Sequence, residues 1–242
     1  MLDLLGTLIG GATIGAILAA VAVATPLHLS SRLTLGAVFG AWVSLAVAIA
    51  ASGKLADLPV LLGMFALPLV AVAVLSIASP AVRANLIAIP TAVVIGLNGF
   101  RVLGVMFLIL ASVGRLGGPF PYLAGIGDIL TGILAVRVAV LVARGALPNA
   151  RVIAWNAFGM LDLIVAVTLA VLSRNGSPIQ LIHAGAGSAA ITSLPWALIP
   201  IVLVPLYLIG HVIVFTQVRA HALPASDAQR PQRRARQELS AT

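Results

Sequence analysis

Seven runs of roughly twenty apolar residues, each bounded by Gly, Pro or charge, take up most of the chain, and that is the length a helix needs to cross the hydrocarbon core of a bilayer. In lipid every backbone N–H and C=O must be satisfied within its own segment, so runs of this kind fold as helices. The expected fold is all-α: a polytopic membrane helix bundle with spans near 5–27, 33–51, 58–79, 86–113, 120–143, 151–173 and 195–218. Residues 1–218 read as one transmembrane domain, followed by a basic, disordered tail over 219–242.

Composition narrows the function classes. Of 242 residues only 8% are charged, where a soluble domain carries about a quarter. Mean hydropathy is +1.17. Spans and short connections leave no room for a soluble catalytic domain, so any site must be built from helix faces or loops. With no cysteine, disulfides, thiolate metal sites and a Cys nucleophile are excluded.

The formal charge of +8 is unevenly spread. If the basic tail is cytoplasmic, an odd number of spans puts the N-terminus outside. Arg32, Arg83, Arg144 and Arg151 then fall inside, whereas Lys54, Arg115 and Arg174 fall outside with Asp3 and Asp57, which is a positive-inside asymmetry. The tail, with Arg233, Arg234 and Arg236, reads as a topology signal that touches anionic lipid, not as a nucleic-acid-binding arm. The expected location is a bacterial cytoplasmic (inner) membrane.

Ala22-Val23-Ala24 looks like a signal-peptide cleavage site, but the residues before the first run contain Asp3 and no Lys or Arg, so that run is expected to remain a helix. Its Gly6, Gly10, Gly11 and Gly15 form overlapping Gly-xxx-Gly pairs, suited to close approach by another helix or a membrane-protein partner. Residues 174–194 form the one long connection, rich in Gly, Ala and Ser and containing His183; it reads as a loop or a lid.

Three ionisable residues lie inside apolar runs: Arg101, Asp128 and Asp162. A charge at bilayer depth costs several kcal/mol unless paired or wetted, so such residues mark a site. At 1.5 Å per residue Asp128 and Asp162 fall roughly 12 and 14 Å below the outer face, and Arg101 between about 8 and 18 Å. Asp128 shares its face with Ala124, Gly132 and Ala135, and Asp162 with Gly159, Ala166 and Ala170, two small-residue stripes made for helix contact. Thr91, Asn98, Arg101 and Ser112 fall within about 80° of one another at 100° per residue and form a polar stripe. In the last span Tyr207 reaches the depth of the carboxylates, and His211 lies deeper, near the level of Asn156. Arg137, near an inner helix end, reads as a snorkelling anchor.

Two readings of the cluster are open. In the first, Arg101, Asp128, Asp162, Asn98, Asn156, Tyr207 and His211 bind or pass a small polar ligand or protons: Arg101 holds an anionic group, the carboxylates take up protons, and His211 relays them inward. In the second, Arg101 clips helices together in a non-catalytic accessory or assembly subunit. No metal site is expected; a haem between His28 and His211 is the only pairing the four histidines allow, and no cofactor is expected from it. No Lys lies inside a span, so a retinal Schiff base is excluded.

Gly125-Ile126-Gly127-Asp128 resembles the Gly-x-Gly-Asp tetrapeptide of intramembrane aspartyl proteases, and Pro195-Trp196-Ala197-Leu198 resembles their Pro-Ala-Leu element. That resemblance implies a hydrolase in which two carboxylates share a proton. Against it, Asp162 lies on a later span, where those enzymes carry the partner Asp on an earlier one, and Trp196 interrupts the second element. More broadly, Phe100-Arg101-Val102-Leu103-Gly104, Ala124 to Asp128, Trp155-Asn156, Leu161-Asp162 and Leu194-Pro195-Trp196 resemble a group of uncharacterised bacterial multi-pass membrane proteins, a resemblance over 90–215 that implies no activity.

Overall fold

The computed structural model describes residues 1–24 and 28–222. All regular secondary structure among the described residues is helical, without strands: α1 (Leu2–Ala24), α2 (Leu29–Ala51), α3 (Leu58–Ala78), α4 (Pro80–Ile87), α5 (Thr91–Leu97), α6 (Val105–Ser112), α7 (Phe120–Ala143), α8 (Asn149–Leu172) and α9 (Val204–Ala222). Seven stretches are long and apolar enough to cross a membrane: α1, α2, α3, Thr91–Ser112, α7, α8 and Ile199–Ala220. The tail beyond residue 222 lies outside the described residues.

Two of these spans are irregular, and sequence explains both. Pro90 cannot continue a helix, so the expected start at 86 becomes the separate α4, and the span proper begins at Thr91. The carbonyls exposed by that break, Ile87 O and Ile89 O, accept from the Gln217 side chain of α9 at 2.8 and 2.6 Å. The same span then tightens into a 3₁₀ helix over Asn98–Gly104 before α6 resumes. In the last span a π-helical turn, Ile199–Leu203, precedes α9. Pro205 has no N–H for Ile201 O four residues back, and Trp42 Nε1 of α2 donates to that carbonyl at 3.2 Å.

Burial is uneven. The Thr91–Ser112 and Ile199–Ala220 spans are 44% buried in their apolar windows and α8 33%, whereas α1 and α7 are 17% and α2 and α3 11%, so the core centres on the two irregular spans and α2 and α3 lie at its outside. One end of the bundle carries Asp3, Lys54, Asp57, Arg115 and Arg174; the other carries Arg32, Arg83, Arg144, Arg151 and Arg219. At the first end Asp3 Oδ1 accepts from Arg115 Nη1 (2.6 Å) and Trp196 Nε1 (2.7 Å), which fastens the start of α1 to two loops. Gly6 is where α1 meets Trp196 and Pro195: a Cβ there would lie 2.7 Å from both side chains. Gly10, Gly11 and Gly15 face open space.

The 174–194 connection packs as a loop over this end. Ser188 Oγ donates to Ala170 O (2.6 Å), Gly117 N donates to Gly187 O (2.8 Å), and Ser188, Ala190 and Ile191 are buried while His183 is exposed.

Candidate functional site

A 3₁₀ helix has three residues per turn, so side chains at i and i+3 eclipse. That winding puts Asn98, Arg101 and Gly104 on one buried line facing α7. The expected polar stripe therefore does not run along one regular α-helix: Asn98 and Arg101 do share a face, but through 3₁₀ winding, and Ser112 is exposed with its hydroxyl on Ile109 O. The 3₁₀ segment sits almost on the α7 backbone. A Cβ on Gly104 would lie 2.5 Å from Asp128 Cβ, and one on Gly132 would lie 2.6 Å from Val102 N. Both small-residue stripes face inward, with Ala124, Gly125, Gly132 and Ala135 of α7 and Gly159, Ala166 and Ala170 of α8 all buried.

Arg101, its side chain 1% exposed, is bound from three other spans. Its Nε donates to Asp128 Oδ1 at 2.7 Å, its Nη2 to Asp162 Oδ2, and its Nη1 to Gly159 O at 3.0 Å, with His211 Nε2 at 3.3 Å from the same Nη1. The Tyr207 ring centroid lies 5.9 Å from the guanidinium carbon. One cation thus meets two carboxylates, and with both ionised the network would carry a formal charge of −1. In a bilayer interior that residual charge is costly, and one bound proton or monovalent cation cancels it.

The His211 tautomer follows from its partners. Nδ1 lies 2.7 Å from Asn156 Oδ1, which only accepts, so Nδ1 carries the hydrogen and the bare Nε2 accepts from Arg101. Asn156 Nδ2 in turn donates to His211 O at 2.9 Å. Trp155 backs this pair, its ring centroid 5.6 Å from the imidazole and its Nε1 donating to Thr131 O at 3.3 Å.

Of the seven residues expected at the site, the structure therefore brings Arg101, Asp128, Asp162, His211, Asn156 and Tyr207 together. Asn98 shares the Arg101 face but donates to Val94 O on its own helix, and its Oδ1 is buried without a partner, as is Thr131 Oγ1. Asp128 has a second aspect: it lines an apolar slot that runs to the Asp3 end. His28, at the start of α2, is exposed, while both ring nitrogens of His211 are engaged. No group of three or more His, Cys, Asp or Glu among the described residues could hold a metal.

Sequence reasoning missed several participants. Gly159 offers a carbonyl, which no side-chain pattern signals. Gly127 makes room for a carboxylate, because a Cβ there would collide with Asp162. The Gly-x-Gly-Asp tetrapeptide thus has a packing reason: Gly125 meets Gly104 O, Gly127 admits Asp162, and Asp128 takes Arg101. Both carboxylates of the hydrolase reading are tied to the guanidinium.

Seven apolar helices packed around a buried Arg–Asp–Asp network make this a multi-pass helical membrane protein. The chain belongs to the family of a domain of unknown function, DUF8737, whose match covers residues 58–219, which includes all seven expected site residues and leaves α1 and α2 outside. No curated protein and no solved structure matches it.

Proposed function

We propose that the Asp128–Arg101–Asp162 network is a site for protons or a small cationic or polar ligand in a multi-pass protein of the bacterial inner membrane. The observation that carries this reading is that Asp128 is paired to Arg101 and also lines the slot, in a network with one carboxylate charge left over. Capture of an anion by Arg101 is less favoured, since each of its three nitrogens already has an acceptor. His211, held on both ring nitrogens, serves better as a residue that orients Arg101 than as a relay. The Arg-rich end of the bundle is assigned to the cytoplasm on the positive-inside rule, which places the N-terminus outside.

The test is reconstitution in vesicles with an internal pH-sensitive dye. An imposed pH gradient should collapse faster with the parent protein than with Asp128→Asn or Asp162→Asn, and equal rates for parent, variants and empty vesicles would overturn the proton reading. Labelling of single cysteines at Asp57 and Arg151 should find the first accessible from outside and the second from inside.

The alternative is an accessory subunit. It is favoured by the internal satisfaction of Arg101, which pins four spans, and by Gly10, Gly11 and Gly15 facing open space on a helix outside the family match. Stoichiometric copurification of another membrane protein, lost on Gly11→Leu, would support it. A hydrolase remains the weakest reading, because Arg101 binds both carboxylates.

A further inference from the structure

The slot that ends at Asp128 begins at a second buried arginine. Its walls are Leu61 and Phe65 of α3, Phe107 of α6, Leu163 and Val167 of α8 and Val204 of α9, and its far end holds Arg174, Ser188 and Thr192. From Leu163 to Arg174 is about 16 Å at 1.5 Å per residue. The slot is narrow, a cavity of ≈ 50 Å³ within ≈ 680 Å³ of space between these side chains that is partly open to the surroundings. Such a slot suits one extended chain and rejects a bulky ligand.

Arg174 is 9% exposed. Its Nη2 donates to Leu55 O (3.2 Å) and to Ala56 O, so the guanidinium is clamped beneath the loop between α2 and α3. Its Nη1 is buried with no acceptor, and the neighbouring Ser173 Oγ is likewise buried and unpartnered. Asp57, exposed on that loop, acts on Arg174 electrostatically without forming an ion pair; its charge favours the cation, while burial, the larger effect, lowers the Arg174 pKa. An unmet guanidinium N–H at the end of an apolar slot calls for an anionic oxygen with an apolar tail behind it.

We propose that Arg174 and the slot bind an amphiphile with an anionic head, a phosphate or carboxylate, seated against the Arg174 guanidinium, and one alkyl or isoprenoid tail lying in the slot toward Asp128, any second tail remaining in the bilayer. In a bilayer any apolar crevice fills with lipid tails; the buried Arg174 donor adds a requirement for the head. The proposal does not depend on what the Arg101 network binds.

The experiment is native mass spectrometry of the full chain from nonionic detergent, with phosphatidylglycerol or phosphatidylcholine added, and in parallel thermal unfolding with dodecyl phosphate, dodecanol or inorganic phosphate. The parent should retain phosphatidylglycerol over phosphatidylcholine and be stabilised by dodecyl phosphate but not by dodecanol or inorganic phosphate. Arg174→Gln should weaken retention at least about fivefold. Arg174→Lys should retain part of it, and Arg151→Gln, at the opposite end, all of it. Because Arg174→Gln also removes the clamp on Leu55 and Ala56, Val167→Phe provides a second test: Val167 is a half-buried wall of the slot, so the larger ring fills it, leaves Arg174 untouched, and should abolish the effect of dodecyl phosphate. Equal retention of both lipids, unchanged retention in Val167→Phe, or stabilisation by inorganic phosphate alone would overturn the proposal.

Discussion

Removing Arg101 and removing one of its carboxylates should have very unequal costs. Asp162→Asn leaves Arg101 paired with Asp128 as a neutral pair, and the asparagine carbonyl can still accept from Nη2. The loss is then a charged hydrogen bond replaced by a neutral one, about 1–2 kcal/mol. Arg101→Gln strands two carboxylates in the same interior, with their shared partner gone and Gly159 O and His211 Nε2 also losing a donor. Breaking a buried pair in this way costs about 3–5 kcal/mol. The triple variant Arg101→Gln, Asp128→Asn, Asp162→Asn removes every charge and should recover most of that loss, a non-additivity expected of groups in one network. Unfolding by SDS in mixed micelles, followed by tryptophan fluorescence, reads all three. If Arg101→Gln proves no worse than Asp162→Asn, or the triple variant is as unstable as the sum of its parts, the network does not hold the spans together as described.

Other substitutions probe the packing. Gly127→Ala should cost about 1–3 kcal/mol because its Cβ meets the Asp162 carboxylate, whereas Gly63→Ala, with open space around it, should be neutral or stabilising by up to about 1 kcal/mol; micelle unfolding again decides. His211→Phe should cost about 1–3 kcal/mol by leaving Asn156 Oδ1 and Arg101 Nη1 short of partners, and recovery with His211→Gln would identify hydrogen bonding as the cause. Arg115→Ala should change stability by less than about 1 kcal/mol, since the Asp3 pair is exposed and Trp196 still donates to Asp3.

The class of fold and the neighbourhood of the site were legible along the chain. Seven apolar runs leave helices as the only spanning structure, and the expense of burying Arg101, Asp128 and Asp162 in such runs made them partners before any contact was seen. The small-residue stripes through Gly132 and Gly159 were legible as contact faces for the same reason, since a helix cannot approach another closely over large side chains. The rest came from groups that leave no pattern along the chain and emerged with the packing of the helices. Nothing local marks Asn98–Gly104 as 3₁₀; that winding depends on how closely the segment sits on α7, and it sets the direction of Arg101. The Gly159 carbonyl belongs to a backbone that every residue has, so its use by Arg101 appears only when α8 is in place. Arg174 read as a loop charge because sequence distance says nothing about the α2–α3 loop folding over it. Hydropathy is a property of each segment alone, whereas the partner of a buried polar atom is chosen by which helices lie side by side.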